Sequence, residues 1–388
     1  MDCVRLSAAA FRLPRKTVPV TEPTERRKDN NFDFLRFLAA LLVVTSHSFW
    51  LYGDPYPEMA MLGGTAIGTI AVYMFFIISG YLISASWLHS RSATDFVTKR
   101  LIRIFPALIV ATLLTILLIG PLATELPLAE YFSTGRTWQY LSNLLLWIQF
   151  DLPGVFASNP FPSTINGSIW TLPFVMAMDL SLIALGLTGQ FNRTVILMGF
   201  TTLTTVHLIL LPQLGVLSQS VLNLFCLGMF FYAGVALYLY RQHVPLTWKI
   251  ALPLLALMVS SANTALWPLM LGVGLPYLVI FAAHLDIPRL TRFGKYGDFS
   301  FGIYIFSFPL QQLMMLWIGP DQLSLGAFVA LSYAASLVIG VISWHLIEKP
   351  ALRLKRYLPQ RKPAIAPSGE NHKGVRRRSR WRTNKEVI

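Results

Sequence analysis

Continuous apolar runs, each long enough to cross a bilayer as a helix, recur along almost all of this chain and leave few folds open. A hydrocarbon core about 30 Å thick takes about 20 apolar residues of α-helix to cross. In lipid, only helices and closed barrels satisfy their own backbone hydrogen bonds. A barrel reads as short segments of alternating polarity, and no such alternation is present. Charged residues make up 13% of the chain, against about 25% in an ordinary soluble domain. The pattern therefore predicts an all-α fold, a polytopic transmembrane helical bundle. Spans are expected at residues 34–52, 65–88, 101–120, 168–186, 194–212, 219–240, 248–263, 267–285, 298–318 and 323–347, about ten in all. Only a turn around Asn263 and Pro268 divides the seventh from the eighth.

Charge organises the rest. The net charge is +14, yet it lies almost wholly in two tails. Residues 1–29 carry seven Lys/Arg against four Asp/Glu, and residues 349–388 carry thirteen against two. Three segments follow: a disordered basic N-terminal tail at 1–29, a membrane domain at 30–348, and a basic, largely disordered tail at 349–388. The body is neutral, so nothing in it reads as a nucleic-acid groove. A basic tail beside a membrane helix signals topology and contact with anionic membrane lipids. With ten spans and the N-terminus inside, the cytoplasmic loops hold ten basic residues and the opposite loops only Arg136. That asymmetry is the positive-inside pattern, so both termini are expected in the cytoplasm. Pro14, Pro19 and Pro23 interrupt the N-terminus, and no apolar core with a cleavage site follows; the first span is expected to remain as an uncleaved anchor. Cys3 in the tail and Cys226 in an apolar run predict neither a disulfide nor a metal site.

The first span places an arginine and a histidine on one face. Arg36 and His47 are 11 residues apart, three helical turns or roughly 16 Å along the axis. With Arg36 at an interface, His47 lies near the middle of the membrane. Ionisable groups at that depth face a protein interior or a wet cavity, and an imidazole exchanges protons near neutral pH. The plainer alternatives are a histidine that bonds a neighbouring helix and an arginine that anchors at the interface. Asp33 is three residues before Arg36, within reach of an ion pair. Lys99, Arg100 and Arg103 open the third span. Arginines at i and i+3 suit bidentate phosphate binding, although a positive-inside cluster accounts for the charge equally well. Ser79 and Gly80 allow close approach of a helix or a ligand. Residues 121–167 form the longest connection, a length that tends to carry function.

Four stretches give these features a family context: FDFLRFLAALLVVTSHSF at 32–49, MFFIISGYLIS at 74–84, KRLIRIFPAL at 99–108 and GSIWTLP at 167–173. With SFGIYIFSFPL at 300–310 and IEKPALRL at 347–354, they resemble, in order and spacing, the acyltransferase-3 family of integral membrane O-acyltransferases acting on carbohydrates. The resemblance implies transfer of an acetyl or other short acyl group from acyl-CoA to a hydroxyl of a polysaccharide or lipid-linked sugar, in a bacterial inner membrane. No tightly bound cofactor or metal is implied; acetyl-CoA or another acyl-CoA is the co-substrate. His47 becomes the expected general base, with Arg36 supporting it. Arg100, Arg103 and Lys99 become the expected donor-phosphate contacts, and Trp170, Thr171, Asp179 and Tyr304 the expected cavity residues. Two positions depart from the family pattern. Val175 stands where an acid is expected, with Asp179 one turn on, and Ser307 stands where histidine is frequent. A proton-coupled transporter or flippase for a lipid-linked sugar would use the same buried groups, and a non-catalytic scaffold is a third reading.

Overall fold

The computed structural model describes residues 30–53, 63–90, 92–213 and 217–357. Among these the chain is helical without a β-strand, apart from one isolated bridge between Thr124 and Val155. The principal helices are α1 (Phe32–Tyr52), α2 (Ile67–His89), α3 (Ala93–Leu114), α4 (Leu172–Leu187), α5 (Arg193–Thr205), α6 (Gln219–Leu239), α7 (Trp248–Ser260), α8 (Trp267–Ala283), α9 (Ser300–Ile318) and α10 (Leu325–Ser343). Three run on through a wide π-type turn, giving continuous apolar rods at Ala93–Ala123, Arg193–Gln213 and Leu325–Arg353.

Eight of the described helices are long and apolar enough to cross a membrane, and a ninth span forms if α8 and Pro288–Lys295, bent by 83° across residues 284–287, are counted together. The chain is thus a multi-pass membrane protein. The expected seventh and eighth spans are the irregular ones. α7 has 13 residues, or about 20 Å of helix, short of a hydrocarbon core. The expected tails at 1–29 and beyond 357 lie outside the described residues, while Lys349–Arg353 continues α10 as helix.

Local chemistry explains the boundaries. α1 stops at Gly53, whose φ of 89° lets its N–H reach the carbonyls of Phe49 and Trp50. α3 starts at Ser92, whose hydroxyl accepts from the Asp95 amide at 3.1 Å. Asn31 ties the start of α1 to the end of α8, donating to Ala282 O at 2.9 Å and Leu285 O at 2.8 Å.

The core is built around α1, α2, α6 and α9. α2 and α6 touch backbone to backbone: a Cβ on Gly80 would lie 2.0 Å from Phe231 O, and one on Gly234 would lie 2.1 Å from Ile77 O. Gly80 therefore serves helix packing, the plainer of its two readings. On its other flanks α1 packs against α9 and α10.

The connection between α3 and α4 folds onto the bundle. Its turn at Leu146 (φ 62°) satisfies its own backbone through buried Asn143, which accepts from Gln149 N at 2.8 Å and donates to Gln149 O at 3.1 Å. Farther on it is clamped to α9. Gln312 donates to Phe161 O at 2.8 Å and Thr164 O at 2.7 Å, and Asn166 donates to Ile305 O at 2.8 Å.

Candidate active site

α1, α3, α4, α9 and the end of α10 converge on a cluster of charges. Arg36, one turn into α1, pairs with Asp33 of its own helix and with Asp298 at 3.1 Å. Arg103 of α3 reaches the same Asp298 at 2.6 Å and Glu348 at 2.9 Å. Asp298 sits just before α9 and accepts from the Ser300 hydroxyl at 2.5 Å. Burial works against ionisation of Asp298, but the Arg36 and Arg103 guanidiniums, helped by Ser300, outweigh it and hold the carboxyl at about 2. Glu348 is also bonded by Ser343 at 3.0 Å. Arg100 makes a separate pair through Nε, 2.7 Å from the buried Asp179. Its two terminal nitrogens have no protein partner among the described residues, while both terminal nitrogens of Arg103 are engaged. Lys99 turns away, to Asp95 at 2.7 Å and Ser90 at 3.5 Å.

A cavity of about 120 Å³ opens inward from these arginines. Arg36, Arg100 and Arg103 line one end, and Thr171 and Tyr304 are also in its wall. The Tyr304 hydroxyl lies 2.7 Å from both Thr171 Oγ1 and Ser168 O. Ser79, Phe75 and Val175 complete much of the wall, so the valine at the departing position faces the cavity. Asp179 stands behind Arg100, outside the lining, and Trp170 packs edge-on against Phe174 at 5.8 Å between ring centres. The volume suits a small acyl group, well below the roughly 300–1,000 Å³ of pockets that enclose whole ligands. A wider, open groove of about 500 Å³ runs beside Trp138, Ser142 and Trp147 and holds none of the candidate residues.

His47 is not part of the cavity wall. Its ring meets Phe308 of α9 edge-on, 4.9 Å between centres, and its Nδ1 is buried with no partner. Phe308 lies four residues beyond Tyr304 on the same helix, so imidazole and inner cavity wall differ by about one turn, roughly 6 Å along α9. The expected site therefore falls into two levels, arginines and hydroxyls below and histidine above.

Neither Asp298 nor Glu348 stands out in the sequence as part of a site. Both complete the arginine cluster, at separations of 195 and 245 residues from Arg103, and Glu348 serves there in helix–helix bonding. Sequence reasoning also misses Gln311, which is fully buried and bonded to α1. A polar amide pair, Gln311 and Gln312, in the middle of an apolar span was the available signal.

The family profile described as an acyltransferase domain matches residues 29–345. An O-acetyl transferase of Shigella phage Sf6 is 30% identical over 355 residues, covering 87% of this chain and 99% of that protein. Nodulation protein 10 of Rhizobium leguminosarum bv. viciae is 29% identical over 385 residues, covering 87% of this chain and 97% of its own. A shorter similarity, 34% over 122 residues, links 31% of the chain to 30% of the acyltransferase MdmB of Streptomyces mycarofaciens. No solved structure matches the chain significantly.

Proposed function

The chain belongs to the acyltransferase-3 family of membrane O-acyltransferases, and on that premise we propose that it moves an acetyl or other short acyl group from acyl-CoA to a hydroxyl of a polysaccharide or lipid-linked sugar. The membrane is a bacterial inner membrane, with both termini and the donor on the cytoplasmic side. The observation that carries the reading is Arg100. Its terminal nitrogens have no protein partner among the described residues, and Arg100 lines the cavity together with Arg36, Arg103, Thr171 and Tyr304. A guanidinium with both terminal NH2 groups unengaged suits a diphosphate oxygen pair. The neutral apolar wall formed by Phe75, Val72 and Val175 suits the short acyl group.

The chemistry follows from the two levels. The acceptor oxygen attacks the thioester carbonyl as its proton passes to the His47 imidazole, the carbon–sulfur bond breaks, and the coenzyme leaves as a thiolate that takes up a proton. A base within hydrogen-bond reach of the hydroxyl contributes about 10²–10⁴-fold. Arg36, about three turns away at the other end of the same helix, anchors that helix to Asp298 and keeps a positive charge on the side of the donor phosphates. The carbonyl must pass beyond Tyr304 to meet the imidazole, so donor binding requires the cavity to lengthen by about a helical turn.

The test uses sealed vesicles holding the protein in one orientation, with labelled acetyl-CoA on one face. Label that reaches a sugar or polysaccharide only when the donor is on the face of the arginine cluster supports the reading. Movement of a lipid-linked sugar across the bilayer with no label incorporated would overturn it in favour of a transporter.

A further inference from the structure

Three buried polar atoms in the facing stretches of α1 and α9 around His47 lack a hydrogen-bond partner among the described residues: Nδ1 of His47, Oγ of Ser307 and Oε1 of Gln311. A buried polar group left unbonded costs about 1–3 kcal/mol, so each calls for a physical reason. The orientation of the Gln311 amide is fixed by its partners. Its Nε2 donates to Val44 O at 3.0 Å and to Ser48 Oγ at 2.8 Å. Val44 O only accepts, and the Ser48 hydroxyl spends its own hydrogen on that same carbonyl at 2.9 Å. Swapping the amide would set oxygen against oxygen, so Oε1 is the free end.

The orphaned His47 and Gln311 atoms belong to one level of the bundle. Ser48, bonded to Gln311, directly follows His47, and Phe308, whose ring meets the imidazole, is three residues before Gln311 on α9. Their chemistry is complementary, since Nδ1–H donates and an amide oxygen accepts. No charged side chain among the described residues is bonded to His47; Phe308 meets the ring from α9, and Ser46 and Ser48 flank it on α1. The Ser307 hydroxyl, also unpartnered on α9, rotates and can donate or accept, whereas the Gln311 oxygen is fixed by Val44 and Ser48 and only accepts; the amide is therefore the group suited to hold the ring in one tautomer.

We propose that Gln311 is a positioning residue for His47. Its Oε1 accepts a hydrogen bond from Nδ1–H, directly or through one water, in the working state of the enzyme. This fixes the tautomer that leaves Nε2 unprotonated, and Nε2 takes the proton of the acceptor hydroxyl as that oxygen attacks the thioester. The inference rests on His47 being the base. Ser48 and Val44 hold the amide, and through it α9 sets the imidazole on α1.

The experiment measures acetyl-CoA turnover by the full-length protein in lipid nanodiscs, with ¹⁵N NMR of the histidine ring as a second readout. Gln311→Met keeps the volume and removes the acceptor. It is expected to lower kcat about 10- to 100-fold with KM for acetyl-CoA within about twofold, and to show a mixture of ring tautomers. Gln311→Glu restores an acceptor and should recover much of the rate. It should also move the acidic limb of the pH profile upward, because a carboxylate favours the protonated ring. Ser48→Ala loosens the amide without touching its volume and should give an intermediate loss of rate and tautomer purity. A Met variant with wild-type kcat beside an inactive His47→Ala overturns the role of Gln311 and leaves the base in place. A His47→Ala enzyme with wild-type turnover overturns both. If the Met variant does not fold, an unchanged rate and tautomer in Ser48→Ala overturns the proposal.

Discussion

Arg36 of α1 and Arg103 of α3 share a single carboxylate, with Asp298 lying 3.1 Å from one and 2.6 Å from the other. Side chains that meet here come from opposite ends of the chain, and the pairing joins the histidine helix to the proposed donor helix. Asp298→Asn leaves two partly buried guanidiniums facing a neutral amide. Breaking a buried pair costs about 3–5 kcal/mol, and the residual solvent access of this cluster places the expected loss below that range, at about 2–3 kcal/mol. Thermal unfolding of the purified protein in detergent measures it, and an unchanged midpoint would show the bridge to be idle.

The same carboxylate makes a pH prediction. Its folded value of about 2 lies below that of the unfolded chain, near 3.8. A depressed acid adds stability that is complete above the unfolded value and disappears as pH falls through the folded one. The unfolding midpoint should therefore hold across neutral pH and lose the Asp298 contribution between about pH 4 and pH 2. Asp298→Asn should lack that component of the acid limb; identical limbs in both proteins would remove Asp298 from the account.

Arg100 and Arg103 are expected to fail differently. A lysine at 100 keeps a cation beside Asp179 but loses the fork, so Arg100→Lys should raise KM for acyl-CoA about tenfold with little change in stability. A lysine at 103 has to choose between Asp298 and Glu348, so Arg103→Lys should lower the unfolding midpoint more than it raises KM. Steady-state kinetics beside thermal melts separates the two, and a reversed pattern would move the donor contact to Arg103.

Val175 and Asp179 lie one turn apart, the first in the cavity wall and the second on Arg100. If Asp179 supplies the charge that the family pattern carries one turn earlier, Asp179→Asn should lose activity and Val175→Glu should restore part of it. The double variant is then more active than Asp179→Asn alone, a coupling that independent sites do not show. Equal activity in the two would mean that Asp179 has no such part.

Gly80 tests the packing of α2 on α6. An alanine there drives its Cβ into Phe231 O, a backbone atom with no rotamer to yield. Gly80→Ala should cost about 1–3 kcal/mol. Gly199→Ala on α5, where nothing lies within 4 Å, should instead be neutral or stabilising by up to about 1 kcal/mol. Equal melts for the two would refute the close approach.

Membrane helices are legible in sequence because each satisfies its backbone internally, so a long apolar run is already the element. α1, α2, α6 and α9 fall where their runs lie. α7 and α8 also begin where their runs begin, but a run says nothing of a bend across residues 284–287 or of a helix that stops after 13 residues. The Asp33–Arg36 pair was legible because three residues on a helix are neighbours. Asp298 and Gln311 were not, since their partners lie more than 190 residues away in sequence. The two-level arrangement was hidden for a similar reason. Residues 36 and 47 share a face of one helix, yet the cavity beside Arg36 is bounded by Tyr304 and Thr171, which other segments supply.

The central claim is that the His47 imidazole takes the acceptor proton. Its most direct measurement is single-turnover acetyl transfer by His47→Gln and His47→Ala in nanodiscs, at saturating acetyl-CoA, with donor binding followed separately. The account predicts a loss of at least about 100-fold in the transfer step, with donor affinity and unfolding midpoint as in the unaltered protein. Transfer within about twofold of the unaltered rate would contradict it.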